Sequence, residues 1–190
     1  MMMRMLGGAI LAMTAVPLIA QEVYVIDPRH SQPQWEIRHM GMTPQRGGFA
    51  KSTGKIELDR AAKKASIDVT IDATSVHSWD NGLDAILKAD RFFNVEKYPT
   101  ITFKSTNVAW EADRPATIDG DLTMLGVTKP VSLKVVSFAC GENPGNKRAM
   151  CGAEATTTIK RSDWGMTNNL NAGSDEVKLT FPVEAYKDAS

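Results

Sequence analysis

A carboxylate, an imidazole and a hydroxyl stand close together at Asp27, His30 and Ser31, the group types that nucleophilic catalysis combines. Their spacing argues against that use. Neighbouring side chains on an extended chain point to opposite faces, so His30 is badly placed to take a proton from Ser31. No G-x-S-x-G elbow accompanies them. A structural reading fits better, in which the three side chains hydrogen-bond a bend that opens the next strand. The enzymatic alternative is an acid/base set of Asp27, His30 and His39. The other histidine is His77, and no H-x-H or H-E-x-x-H pattern is present. His30 and His39 are nine apart, an odd number that puts them on opposite sides of a regular strand. No metal or cofactor is expected, and no glycine-rich nucleotide motif occurs. Arg161-Ser162-Asp163 has two readings, an arginine clamp for an anion or a local Arg–Asp pair that steadies a loop.

Cys140 and Cys151 are the only cysteines, and the ten residues between them include Asn143-Pro144-Gly145-Asn146, which is turn chemistry. The even count and short separation point to one disulfide stapling a hairpin in an oxidising compartment. Two thiols with no histidine nearby cannot complete a tetrahedral metal site.

The elements that would position these groups are mostly strands. Period-two alternation marks 22–26, 31–39, 48–58, 66–73, 100–110, 116–124, 131–138, 152–160 and 177–186. Apolar columns such as Trp35 and Ile37, or Val177, Leu179, Phe181 and Val183, alternate with Lys, Asp, Glu and Thr. Strands of this kind in one domain predict an antiparallel sandwich or closed barrel with one wet face. From Trp79 to Phe93 the rhythm changes: Leu83, Ile86 and Leu87 recur at helical spacing, with Ser78 or Asp80 as cap. A lone amphipathic helix must lay its stripe on something, and a barrel mouth is the natural place. The Asn- and Gly-rich stretch between Arg161 and Asp175 reads as a long loop.

Charge and length narrow the function classes. Met1–Met5 carry only Arg4, and 6–20 is uncharged and mostly apolar. This is the pattern of a secretory signal peptide spanning 1–20, with a mature chain from Gln21. The run is shorter than the roughly 20 residues that cross a bilayer, so no stable membrane insertion is expected. Losing Arg4 leaves 21 basic against 22 acidic residues, a net of −1. That balance excludes the basic footprint of a nucleic-acid binder. The remaining 21–190 suit one domain with a real core.

Four segments together resemble the YceI-like family of periplasmic, lipocalin-like barrels that bind polyisoprenoid lipids. They are Ile26–Gly41; Phe92-Phe93 with Tyr98-Pro99-Thr100-Ile101-Thr102-Phe103; Gly120-Asp121-Leu122-Thr123-Met124-Leu125-Gly126-Val127-Thr128-Lys129-Pro130; and Ile159-Lys160-Arg161-Ser162-Asp163-Trp164-Gly165. They fall in the family's order and span nearly the whole mature chain. The resemblance implies an all-β fold, a single antiparallel barrel of about eight strands with one short helix capping its mouth. It also implies a periplasmic location and a long isoprenoid or fatty lipid held inside without reaction. Joined to the inward columns, it gives the expected ligand contacts: Trp35, Ile37, His39, Phe49, Ile56, Leu58, Leu83, Ile86, Leu87, Phe92, Phe93, Phe103, Leu122, Met124, Ala155 and Trp164. Space for the tail is expected beside Gly54, Gly120, Ala153 and Ala155. The helix departs from the family, keeping Asp84 and Leu87 but replacing the usual Arg and His, which puts the head group in question. A homodimer stays open, as do two other functions: a hydrolase or isomerase acting on such a lipid, and a structural stress protein with a solid core.

Overall fold

A computed structural model describes residues 21–189; the expected signal peptide, 1–20, lies outside them. The strands are β1 (Glu22–Ile26), β2 (Gln34–His39), β3 (Thr43–Phe49), β4 (Ser52–Asp59), β5 (Lys64–Asp72), β6 (Val76–His77), β7 (Thr100–Glu111), β8 (Arg114–Met124), β9 (Val127–Glu142), β10 (Ala149–Lys160) and β11 (Gly173–Lys187). One helix, α1 (Asn81–Lys88), follows β6. All the strand pairings are antiparallel. The order β1-β4-β5-β7-β8-β9-β10-β11 closes on itself through β1 and β11, giving an eight-stranded barrel. Closure removes the exposed edges that an open sheet would present.

β11 is shared. Its end, Ala185–Lys187, pairs with β1, and its first half pairs with β2, so β2 continues the position of β1 toward the other end of the barrel. Between them the chain bends at 27–33, and the bend is built from the polar residues that resembled a triad. Ser31 is almost fully buried; its hydroxyl donates to the Glu184 carbonyl at 3.1 Å and accepts from the Glu184 N–H at 3.0 Å. A side chain thus supplies the ladder bonds that the interrupted strand cannot. The Ser31 carbonyl accepts from the buried Ser52 hydroxyl. Pro33 sits just before β2, where its missing N–H costs no ladder bond, and its carbonyl accepts from Phe49 N at 2.9 Å.

The expected strand over 48–58 is in fact two, β3 and β4, broken at Ala50-Lys51. The rest of β3, Thr43–Gly47, had no apolar alternation to announce it. Gly47 is required there because a Cβ would lie 2.2 Å from the Trp35 ring. The helix also ends sooner than Phe93. Asp80 caps it by accepting from Gly82 N and Leu83 N, and the chain leaves helical geometry at Ala89.

Two apolar cores occupy the barrel. One end is plugged by Tyr24, Ile26, Leu58, Cys151 and Ala185. Cys140 and Cys151 face each other across β9 and β10 at this end and are joined. By loop entropy the bond contributes about 3 kcal/mol. Reduction should therefore lower the midpoint of thermal unfolding by several degrees while leaving ligand affinity unchanged, since the bond is remote from the cavity described next. A loss of affinity on reduction, measured by ligand titration, would contradict that separation.

Candidate functional site

Opposite the plugged end, the barrel encloses a cavity of about 460 Å³, within the size range of small-molecule sites. Here β2, β5, β8 and β10 finish and β7 and β11 begin. The wall is almost wholly apolar. Of the expected contacts, Trp35, Ile37, His39, Phe49, Leu83, Ile86, Leu87, Phe92, Phe93, Leu122 and Met124 line it. Trp35, Ile37 and His39 alternate along β2, as inward residues of a strand must. α1 adds its stripe, and Phe93 packs edge-on against Phe49 with ring centroids 5.3 Å apart.

Five expected contacts are not in the wall. Ile56 and Leu58 belong to the plug at the far end. Phe103, Ala155 and Trp164 are buried in the main core outside the cavity. The reason is visible at the glycines. A Cβ on Gly120 would lie 2.5 Å from the Phe103 ring and from the Lys104 carbonyl, and one on Gly54 would lie 2.2 Å from the Asp68 carbonyl. These positions are small because strands and rings press on them, so they leave no room for a guest. Space comes instead from the side facing β2, β3 and α1. Lining residues missed from sequence are Ile71, Ile101, Ile159, Met166, Val177, Leu179 and Phe181. Their strands carried the signal, but periodicity cannot say which end of an inward column meets the cavity.

Arg161 also lines the cavity, and it does not pair with Asp163. Its guanidinium is buried and donates to the carbonyls of Ser174, Met166, Asn168 and Gly173 at 2.8–3.1 Å. It therefore clasps the 165–173 loop by backbone, while Asp163 is exposed. The acidic partner of this region is Asp175, which accepts from Ser162 N at 2.9 Å and Ser162 Oγ at 2.8 Å.

The acid/base alternative needs Asp27, His30 and His39 to converge, and they do not. His30 Nδ1 lies 2.8 Å from Asp27 Oδ2 and 3.7 Å from Glu184 Oε2, beside an outward-facing residue of β11, whereas His39 lines the cavity. The hydrogen bond from His30 holds the Asp27 carboxyl below its usual range, which favours an ionised group fixing the bend.

α1 has its own polar anchor. Asp84 Oδ1 accepts from Ser78 N at 2.5 Å and Ser78 Oγ at 2.7 Å, tying α1 to the connection that follows β6. The side-chain bond from Ser78 lowers the Asp84 pKa below its usual 3.8. A depressed folded pKa gives stability that is present above the unfolded value and lost as pH falls through the folded one. Ligand release should thus be flat from neutrality to about pH 4 and quicken below it, and Asp84→Asn should remove much of that acid step. Stopped-flow release across the pH range checks this.

A closed antiparallel barrel, plugged at one end and hollow at the other beneath a short helix, is a ligand-holding barrel in architecture. Residues 24–185 match the YceI-like domain model, and the chain belongs to that family. It is 37% identical over 183 residues to Protein YceI of Salmonella arizonae, covering 94% of each chain. In fold it is similar to Burkholderia cenocepacia BcnA, with TM-score 0.71 and 23% identity over 84% of this chain and 98% of that one. It is also similar to a polyisoprenoid binding domain from Saccharophagus degradans implicated in plant cell wall breakdown. There the TM-score is 0.63 and the identity 18%, over 87% of this chain and 98% of that one.

Proposed function

We propose that this protein binds the apolar chain of a long lipid, polyisoprenoid or fatty, and carries or stores it in the periplasm without altering it. The observation that carries this reading is the apolar cavity under α1. Each methylene moved from water into such a wall gains roughly 0.8 kcal/mol, so about ten give a gross gain near 8 kcal/mol. A single hydrogen bond to a head group adds only about 1 kcal/mol net. Affinity would therefore come from the chain, and a flexible wall containing Met124 and Met166 suits a guest of variable shape. The polyisoprenoid-binding Saccharophagus domain, which shares the fold, supports the choice of ligand class. The separation of His39 from Asp27 and His30 supports binding without chemistry.

The test is to load purified mature protein with an isotopically labelled polyprenol and recover it after prolonged incubation. Stoichiometric retention with unchanged mass is expected. Recovery of a hydrolysed or isomerised product would replace this reading with the enzymatic one.

A further inference from the structure

Asp27, His30 and Glu184 bring two carboxylates and an imidazole to one point on the outside of the barrel. His30 Nδ1 lies 2.8 Å from Asp27 Oδ2 and 3.7 Å from Glu184 Oε2, and the three atoms all fall within 4.8 Å of one another. Asp27 and His30 belong to the bend between β1 and β2, whereas Glu184 comes from β11. No spacing in the sequence announces such a group. It is also separate from the cavity, since none of the three residues lines it.

The backbone holds the three together. Asp27 N donates to the Glu184 carbonyl at 2.8 Å, and the Ser31 hydroxyl bonds both the carbonyl and the N–H of Glu184. His30 N donates to the Asp27 carbonyl at 3.2 Å. Asp27 Oδ1 accepts from Arg29 N at 3.0 Å, which leaves Oδ2 for the imidazole. Across the ladder the partner of Glu184 is Gly152 on β10, with no side chain to compete for the carboxylate. Among the described residues neither carboxylate forms an ion pair with a lysine or an arginine, Arg29 included. Two acidic groups thus share one imidazole as their only ion-pair partner.

Zinc bonds nitrogen and oxygen ligands at about 2.0–2.2 Å, which sets neighbouring ligands roughly 2.8–3.6 Å apart in tetrahedral or octahedral geometry. The two distances from His30 are already close to this, and the Glu184 side chain, 41% exposed, has room to turn the rest of the way. We propose that Asp27, His30 and Glu184 bind a divalent transition-metal ion, with water completing its coordination. An imidazole with two carboxylates suits zinc, copper or nickel and is a poor cage for calcium or magnesium, which take oxygen ligands. Nδ1 gives its lone pair to the metal, and the ring then carries its proton on Nε2. The ion ties the bend to β11 where β1 gives way to β2. This site does not depend on the lipid-binding reading.

The experiment titrates untagged, chelator-treated mature protein with zinc in a calorimeter. One saturable ion per chain is expected, undisturbed by a large excess of magnesium or calcium. His30→Gln and Glu184→Gln should each weaken binding at least about tenfold, a loss that even the outer partners of a metal site cause. His39→Gln and His77→Gln should leave it unchanged. Glu184→Gln keeps the backbone bonds to Asp27 and Ser31, so its effect does not come from a broken bend. Amide hydrogen exchange gives the local reading: zinc should slow exchange over 27–33 in the parent and not in Glu184→Gln. Zinc binding that is as tight in His30→Gln and Glu184→Gln as in the parent, or exchange over 27–33 that zinc leaves unchanged, would overturn the site. So would a parent that shows only weak, unsaturable uptake, the behaviour of an adventitious ion only.

Discussion

Met124→Trp should abolish lipid retention while the barrel still folds. Met124 ends β8 and its side chain lies in the cavity wall beside Leu122. An indole there would occupy much of the space a chain needs. Overpacking a filled core costs about 1–3 kcal/mol, but here the added volume enters a void, so the cost falls at the low end. Lipid content should drop at least tenfold, read by mass spectrometry of extracts, with a circular dichroism spectrum like that of the parent. Ala155→Trp is the informative comparison. Ala155 is buried in the core but outside the cavity, so that change should destabilise the fold more than it affects retention.

The second large effect concerns the lid. Leu83→Asp with Ile86→Asp should raise the lipid off-rate several-fold or more with only a modest drop in melting temperature. No residue of α1 is fully buried, and Ile86 is 44% exposed. Each side chain therefore contributes less than the roughly 1.5–3 kcal/mol of a fully buried aliphatic. Both nevertheless line the cavity, so the carboxylates would open a wet path at its mouth. Outright unfolding of the double variant would show that α1 belongs to the main core and does not gate entry.

How far these features were legible in the sequence depended on what each residue answers to. Alternating columns marked the barrel strands because period-two burial is imposed by geometry. α1 was legible because Leu83, Ile86 and Leu87 break that period. β3 was hidden because Thr43–Gly47 presents no alternating apolar face, and Gly47 answers to the close approach of Trp35. The ligand wall was half legible. Trp35, Ile37 and Met124 follow from alternation, but Gly54 and Gly120 misled, since a small residue marks contact with a neighbouring strand as readily as empty space. Arg161 was visible only through its motif, read as an anion clamp or as a local Arg–Asp pair. Its carbonyl partners come from a loop whose conformation no local pattern specifies. Ser31 and Glu184 lie 153 residues apart, so their pairing followed from the closed topology alone.

The exposed Met40, Met42 and Trp79 show that apolar surface is not confined to the interior. Met40 N donates to the Ala172 carbonyl at 2.7 Å, which ties the β2–β3 turn to the loop carrying the cavity residues Asn169 and Ala172. A double proline substitution at Met40 and Met42 should therefore loosen this rim as well as the turn, raising ligand exchange without moving the plugged end. Amide hydrogen exchange, compared between 165–173 and the β9–β10 hairpin, reads the two ends separately.

The central claim is that the cavity holds an apolar chain. It is tested most directly by purifying the mature protein from its own cells without detergent and extracting it with organic solvent for mass spectrometry, with Met124→Trp prepared in parallel. About one lipid per chain is expected from the parent, and almost none from the variant. A parent that yields no lipid, or a variant that yields as much as the parent, would contradict it.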